Sequence, residues 1–245
     1  MNRTAYLDAF GIKQWNRREL SFDESIEHEV NDFAEDVNTK GIVNKKNYQT
    51  EFKVSVDDIQ DLNLNALAKH VSLCQTCSLH KTRKQIVFGT GHHKADWLII
   101  GEAPGADEDR QGEPFVGRAG QLLTQMLRAI GLAREEVFIA NILKCRPPNN
   151  RDPLPEEVQA CSSYLHRQIE LLEPKIILAL GRIAAQSLLQ VDTPIGKMRG
   201  RLYTLDKFNI PTIVTYHPAY LLRSPKEKRK VWEDLKFARQ QAFSL

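Results

Sequence analysis

From residue 61 onward the chain alternates between short apolar runs and longer stretches with apolar residues at helical spacing. The runs at 97–100 (WLII), 137–140 (VFIA), 176–180 (IILAL) and 212–215 (TIVT) are continuous and rich in β-branched residues. Strands buried on both faces of a parallel sheet read this way. Between them, Leu122, Leu123, Met126, Leu127 and Ile130 recur at helical spacing, and Gly131 follows as a C-terminal cap. Val158, Cys161, Leu165, Ile169 and Leu172 form a second stripe, with Pro155 near its start and Pro174 past its end. Pro225 opens a last helix through Trp232 and Leu235. Strands alternating with helices predict an α/β fold, a three-layer α/β/α sandwich on a mainly parallel four-stranded central sheet.

The first 60 residues break this pattern. Residues 4–18 (TAYLDAFGIKQWNRR) carry Tyr6, Leu7, Phe10, Ile12 and Trp15 on a short apolar face followed by Arg17 and Arg18. They read either as a helix packed back on the domain or as a peptide that docks in a partner's groove. Residues 21–60 have no sustained periodicity and scatter acidic residues among Asn, Ser and Lys, so they read as a disordered linker. The expected organisation is a peptide at 1–20, a linker at 21–60 and a domain at 61–245.

Charge sharpens this division. The chain of 245 residues has a net charge of +3, but residues 21–60 hold ten acidic and four basic groups, and residues 61–245 hold 26 basic and 19 acidic groups. An acidic segment therefore hides a basic domain, which favours polyanionic partners such as nucleic acid. No apolar run approaches the ~18 residues of a membrane span. The start, MNRTAYLDAF, has no apolar core before a small-residue cleavage site. A cytoplasmic, monomeric protein with no membrane contact is expected.

In open α/β sheets ligands bind beyond the carboxyl ends of the strands. The four runs lead there into Gly101-Glu102-Ala103-Pro104-Gly105, Asn141, Gly181-Arg182 and Tyr216-His217-Pro218. A Gly/Pro turn lets backbone approach a ligand. Asn141 offers a donor and an acceptor to a flat ligand edge, and Pro218 holds His217 extended. Phe115, inside a Gly-flanked loop, is a core anchor or a stacking plate. Four such features at one edge point to one site built from separate loops.

All four cysteines fit one four-sulfur site. Cys74 and Cys77 form a CxxC pair, Cys145 lies just past the second strand, and Cys161 follows near the start of a helix. Four cysteines are too few for a disulfide scaffold in a chain this long, which leaves a metal site or free thiols. Sulfur ligation of this kind means zinc or an iron–sulfur cluster, and spacing does not choose between them.

With these residues in place, GEAPGADEDRQGEPFVGRAGQLL (101–123), NILKCRPPNNRDP (141–153) and HPAYLLRSP (217–225) closely resemble the family 4 uracil-DNA glycosylases. The resemblance spans roughly residues 62–243 with all motifs in order. It implies a monofunctional DNA-repair hydrolase that flips uracil out of DNA, cleaves its N-glycosidic bond and leaves an abasic site. It also implies a [4Fe–4S] cluster on the four cysteines. On this reading Phe115 stacks on the uracil beside Gly101, and Asn141 accepts from N3–H and donates to O4. His217 stabilises the leaving uracil at O2. Glu108 positions the attacking water, Glu102 supports the loop and its charge, and Asp107 and Asp109 are solvated neighbours. Tyr220, Leu221 and Leu222 form an apolar wedge in the base stack, while Arg223, Lys197, Arg199 and Arg201 meet phosphates.

A related group in the superfamily bonds covalently to its product through a histidine in a basic loop. The matching segment here, GKMRGR (196–201), has none, which argues against a covalent product. Residues 4–18 resemble the peptide by which the psi subunit of the bacterial DNA polymerase III holoenzyme docks on the clamp loader, implying a replication partner. Two rivals stand beside this reading: a non-catalytic iron–sulfur module that binds DNA damage or docks a partner, and a zinc-stabilised hydrolase of similar fold.

Overall fold

The computed structural model describes residues 59–243. The readings of 1–20 and of residues 21–58 lie outside the described residues. Thr90–Gly91 (β1), Trp97–Gly101 (β2), Phe138–Asn141 (β3), Ile176–Leu180 (β4), Leu202–Leu205 (β5) and Ile210–Thr215 (β6) form one sheet in the order β1-β3-β2-β4-β6-β5. β3, β2, β4 and β6 are the four expected runs, and all pair in parallel.

The sheet nevertheless has six strands, not four. β1 and β5 close its two edges antiparallel. Neither announces itself in sequence. β1 is two residues long, and β5 (LYTL) leaves Leu202 exposed on an outer edge, so neither makes a continuous buried run.

Strand pleating sends alternate residues to opposite faces. Leu98, Ile100, Ala140, Ile177, Ala179 and Val214 meet Leu64 of α1 (Leu64–Ser72), Leu165 and Ile169 of α4 (Pro155–Leu172) and Ala184, Ala185 and Leu188 of α5 (Arg182–Leu189). Met198 of α6 (Ile195–Met198) completes that layer. On the other face Trp97, Ile99, Ile139, Leu178 and Ile213 meet Leu123 and Leu127 of α3 (Arg118–Ala129). Leu221 of α7 (Pro218–Arg223) and Val231 and Leu235 of α8 (Lys228–Phe243) pack on that face as well.

A satellite cluster lies under the cysteines, with Ile59, Leu67, Val71, Leu79, Leu143 and Tyr164 around Cys145 and Cys161. Strand order reverses at β2, whose neighbours β3 and β4 lie later in the chain on opposite sides. The carboxyl end of such a strand is where open α/β sheets bind ligands. No helix among the described residues is long and apolar enough to cross a membrane.

Candidate active site

Gly101, Asn141 and Gly181 stand at or just past the carboxyl ends of β2, β3 and β4, and His217 caps α7 two residues after β6. A cleft of about 410 Å³ opens over them, lined among others by Glu102, Glu108, Phe115, Asn141, Asp152, His217, Tyr220 and Arg223.

Gly101 measures how closely the parts converge. A Cβ there would overlap Asn141 Oδ1 and lie 2.6 and 2.7 Å from two atoms of the Phe115 ring. The amide and the aromatic ring therefore meet above one bare backbone position. Phe115 reaches it through a left-handed backbone, φ 53°, rare for an aromatic residue. Gly120 permits this conformation, because any side chain on it would run into the Phe115 carbonyl. Arg134 secures the approach by donating from Nη2 to the Pro114 carbonyl at 2.5 Å. The His217 ring lies 5.5 Å from that of Phe115, tilted 32°.

Asn141 is buried, and its Oδ1 finds no hydrogen-bond partner among the described residues. An orphaned buried acceptor is costly unless a ligand donor satisfies it.

The Ala219 N–H donates to His217 Nδ1 at 3.2 Å. Burial, and then the Arg223 charge, push the imidazole down to about 4. The ring is thus neutral at pH 7, and with Nδ1 accepting, its proton sits on Nε2. His217 is a neutral donor.

The two glutamates differ. Glu108 accepts from the N–H groups of Gly105 (3.1 Å), Val116 (3.0 Å) and Gly117 (3.0 Å), so both of its oxygens are committed to holding the loop on either side of the cleft. Glu102 lies in the cleft wall, where burial, and then the Asp152 charge against an opposing Arg182, push its carboxyl up to about 7. The loop is thus held by Glu108 and not, as expected, by Glu102. Asp107 is half-buried and pairs with Arg110 at 2.7 Å, but Asp109 is not solvated. It is 2% exposed and accepts from Lys84 N at 2.8 Å, strapping the segment after Cys77 to α2 (Ala106–Gln111).

The expected DNA-facing residues separate too. Leu221 is 1% exposed in the core, so it anchors α7 and is not free to enter a base stack. Its neighbour Leu222 is exposed. Tyr220 leans on Tyr216, ring centroids 5.0 Å apart, and lines the cleft with the exposed Arg223. Arg199 is spent internally, against expectation. Its guanidinium pairs with buried Asp234 at 2.7 Å and lies over the Tyr216 ring, while Thr215 Oγ1 donates to the same carboxylate at 2.7 Å. Arg201 and Lys197 are exposed. Asp152 was not singled out from sequence, although it lies in the NNRDP segment. It accepts from Arg182 Nη2 at 2.8 Å at the cleft edge.

The four cysteines line one cavity, together with Thr76, Arg83, Lys144 and Tyr164. Arg83 Nη1 donates to Cys145 Sγ at 3.2 Å, Lys144 N donates to Cys161 Sγ at 3.4 Å, and Thr76 Oγ1 contacts Cys74 Sγ at 3.2 Å. Burial pushes the Cys161 thiol up to about 12 and raises Cys77 and Cys145 as well. Buried sulfurs with aimed donors suit thiolates whose charge a metal group balances. Among the described residues no three His, Cys, Asp or Glu are gathered around one ion position.

The profile of the Uracil DNA glycosylase superfamily matches residues 88–236. A type-4 uracil-DNA glycosylase of Archaeoglobus fulgidus is 46% identical over 180 residues, 71% of this chain and 90% of that protein. One from Saccharolobus solfataricus is 48% identical over 181 residues, 71% of this chain and 84% of that protein. A type-5 uracil-DNA glycosylase of Thermus thermophilus is 36% identical over 118 residues, 42% of this chain and 53% of that protein. The chain belongs to the uracil DNA glycosylase superfamily and, within it, to the type-4 uracil-DNA glycosylases.

Proposed function

We propose that this protein is a monofunctional uracil-DNA glycosylase of DNA repair. It extrudes uracil from DNA, hydrolyses the bond between uracil N1 and deoxyribose C1′, and leaves an abasic site. The observation that carries the reading is the meeting of the Phe115 ring and the Asn141 amide over Gly101, with the neutral His217 ring 5.5 Å from that of Phe115.

A base inside a duplex is out of reach of such a cleft and must be flipped. Phe115 offers its face to the extruded ring. The orphaned Asn141 Oδ1 takes the N3–H of uracil, and its amide N–H donates to O4. Cytosine, unprotonated at N3 and carrying an amine at C4, reverses both bonds and leaves buried groups mispaired, at about 1–3 kcal/mol each. His217 Nε2–H faces O2. As the N1–C1′ bond breaks, its electron pair moves into the uracil ring, and a neutral donor at O2 stabilises the resulting anion without first losing a proton. One such donor is worth about 3–4 kcal/mol of barrier.

The sugar becomes oxocarbenium-like. Glu102, the cleft carboxylate whose oxygens are not taken up by the loop, balances this charge and orients the water whose oxygen bonds to C1′, accepting its proton. Glu108 holds the loop.

Cys74, Cys77, Cys145 and Cys161 would hold a [4Fe–4S] cluster, with zinc the alternative. Such a cluster supplies cross-linking and electrostatics there, pinning the Cys74–Cys77 loop to the segment from Cys145 to Cys161. Arg223, Arg201 and exposed Leu222 are the DNA-facing groups. Residues 4–18 would tether the enzyme to a replication partner through the acidic segment that follows.

The test is to incubate the protein with matched oligonucleotides carrying U, T, C or hypoxanthine. Free uracil and an alkali-labile site from the U strand alone are expected. Binding without base release would instead make the protein a damage-binding module.

A further inference from the structure

Lys144 lies in the NILKC segment between Asn141 and Cys145, and it is the one cation among the described residues that is fully buried, at 1% exposure. Each part of it is engaged. Its Nζ donates to the backbone carbonyl of Asn141 at 2.9 Å. Its own N–H donates to Cys161 Sγ at 3.4 Å, and its carbonyl accepts from Val87 N at 2.9 Å. Its side chain lines the cavity of the four cysteines.

An ammonium buried this completely needs negative charge nearby. Among the described residues no carboxylate forms an ion pair with it, and the Asn141 carbonyl is neutral. Its place in the wall of the four-sulfur cavity and its backbone bond to Cys161 Sγ tie Lys144 to the sulfur site, and its Nζ holds the residue that reads the base.

We propose that Lys144 is a positioning residue that couples the four-cysteine site to base recognition, its backbone held on Cys161 Sγ while its Nζ fixes the carbonyl, and hence the side-chain direction, of Asn141. This rests on reading the cleft as the uracil pocket. Asn141 is the last residue of β3, so its carbonyl lies beyond the last strand pairing. Ile142 N, Leu143 N and the Lys144 carbonyl keep their own backbone bonds, but without the Nζ donor the buried Asn141 carbonyl has no partner among the described residues and its peptide is free to turn. The amide above Gly101 turns with it.

The test uses the full-length, iron-loaded protein and two variants, Lys144→Met, which removes donor and charge at similar length, and Lys144→Arg, which keeps both. Three quantities are read: iron per chain, the midpoint potential of the cluster, and single-turnover kcat with KM on a uracil oligonucleotide. Lys144→Met should keep its iron, shift the potential negative through loss of a neighbouring cation, and lower kcat at least tenfold with KM within about twofold. Lys144→Arg should restore the potential and most of kcat.

A merely structural lysine would lower melting temperature or iron content without moving the potential or splitting kcat from KM. The proposal is overturned by a Met variant with wild-type kcat, by an unmoved potential, or by an Arg variant as slow as Met. If the Met variant does not fold, the Arg variant decides alone, since folded, iron-loaded Lys144→Arg that is tenfold slower overturns the coupling. A wild-type protein that releases no uracil would refute the functional reading instead, and the potential would still test the link between Lys144 and the sulfurs.

Discussion

Glu102→Gln separates the two costs of a buried carboxylate. Gln keeps the volume and removes the charge. Burial, then Asp152, push the Glu102 carboxyl from 4.5 to about 7 in the folded protein. At about 1.36 kcal/mol per tenfold in proton affinity, that gap is ~3.4 kcal/mol, or about 2 kcal/mol once discounted for the part of the side chain that water reaches. The folded pKa is raised, so stability is fully present below about pH 4.5, falls as the pH rises from there to about 7, and is flat above. The variant does not pass through this loss. Its melting temperature should match wild type near pH 4.5 and exceed it by about 4–8 °C at pH 8.

Activity should move the other way. Single-turnover uracil release should fall roughly 10²–10⁴-fold, the ordinary range for a lost acid–base group. Wild-type kcat/KM should rise through an acid limb near pH 7 as the carboxylate forms. Parallel thermal melts and cleavage assays from pH 4.5 to 9 read both. A variant no more stable than wild type at pH 8, or wild-type cleavage flat from pH 5 to 9, would refute the placement of a strained, working carboxylate at this position.

Asn141→Asp replaces the donor to O4 with an oxygen, and uracil excision should drop roughly 10²-fold or more in a single-turnover assay while DNA affinity holds. Gly101→Ala puts a methyl against Asn141 Oδ1 and the Phe115 ring, so it should abolish free-uracil binding at a stability cost of about 1–3 kcal/mol, read by calorimetry and denaturant melts. Leu221→Ala and Leu222→Ala should part company: the first loses about 2–5 kcal/mol of stability, the second stays within ~0.5 kcal/mol and slows excision from duplex more than from single strands.

Much of this was legible because the chemistry sits on strands that are legible. The runs that became β2, β3, β4 and β6 are buried on both sides, and their ends locate Gly101, Asn141 and Gly181. β1 and β5 are edge strands, one very short and one half wet, and carry no such signal. Which glutamate holds the loop could not be read, because nothing in GEAPGADED says that three backbone amides converge on Glu108. Leu221 and Leu222 are chemically identical neighbours, and only the direction of α7 buries one and exposes the other. Arg199 looks like any surface arginine until Asp234, 35 positions on, takes its charge.

The most direct measurement is a crystal structure of the protein soaked with free uracil. The account predicts the ring stacked on Phe115, N3–H on Asn141 Oδ1 and O2 facing His217 Nε2. Uracil seated elsewhere, or in the cleft with its N3 edge turned away from Asn141, would contradict it.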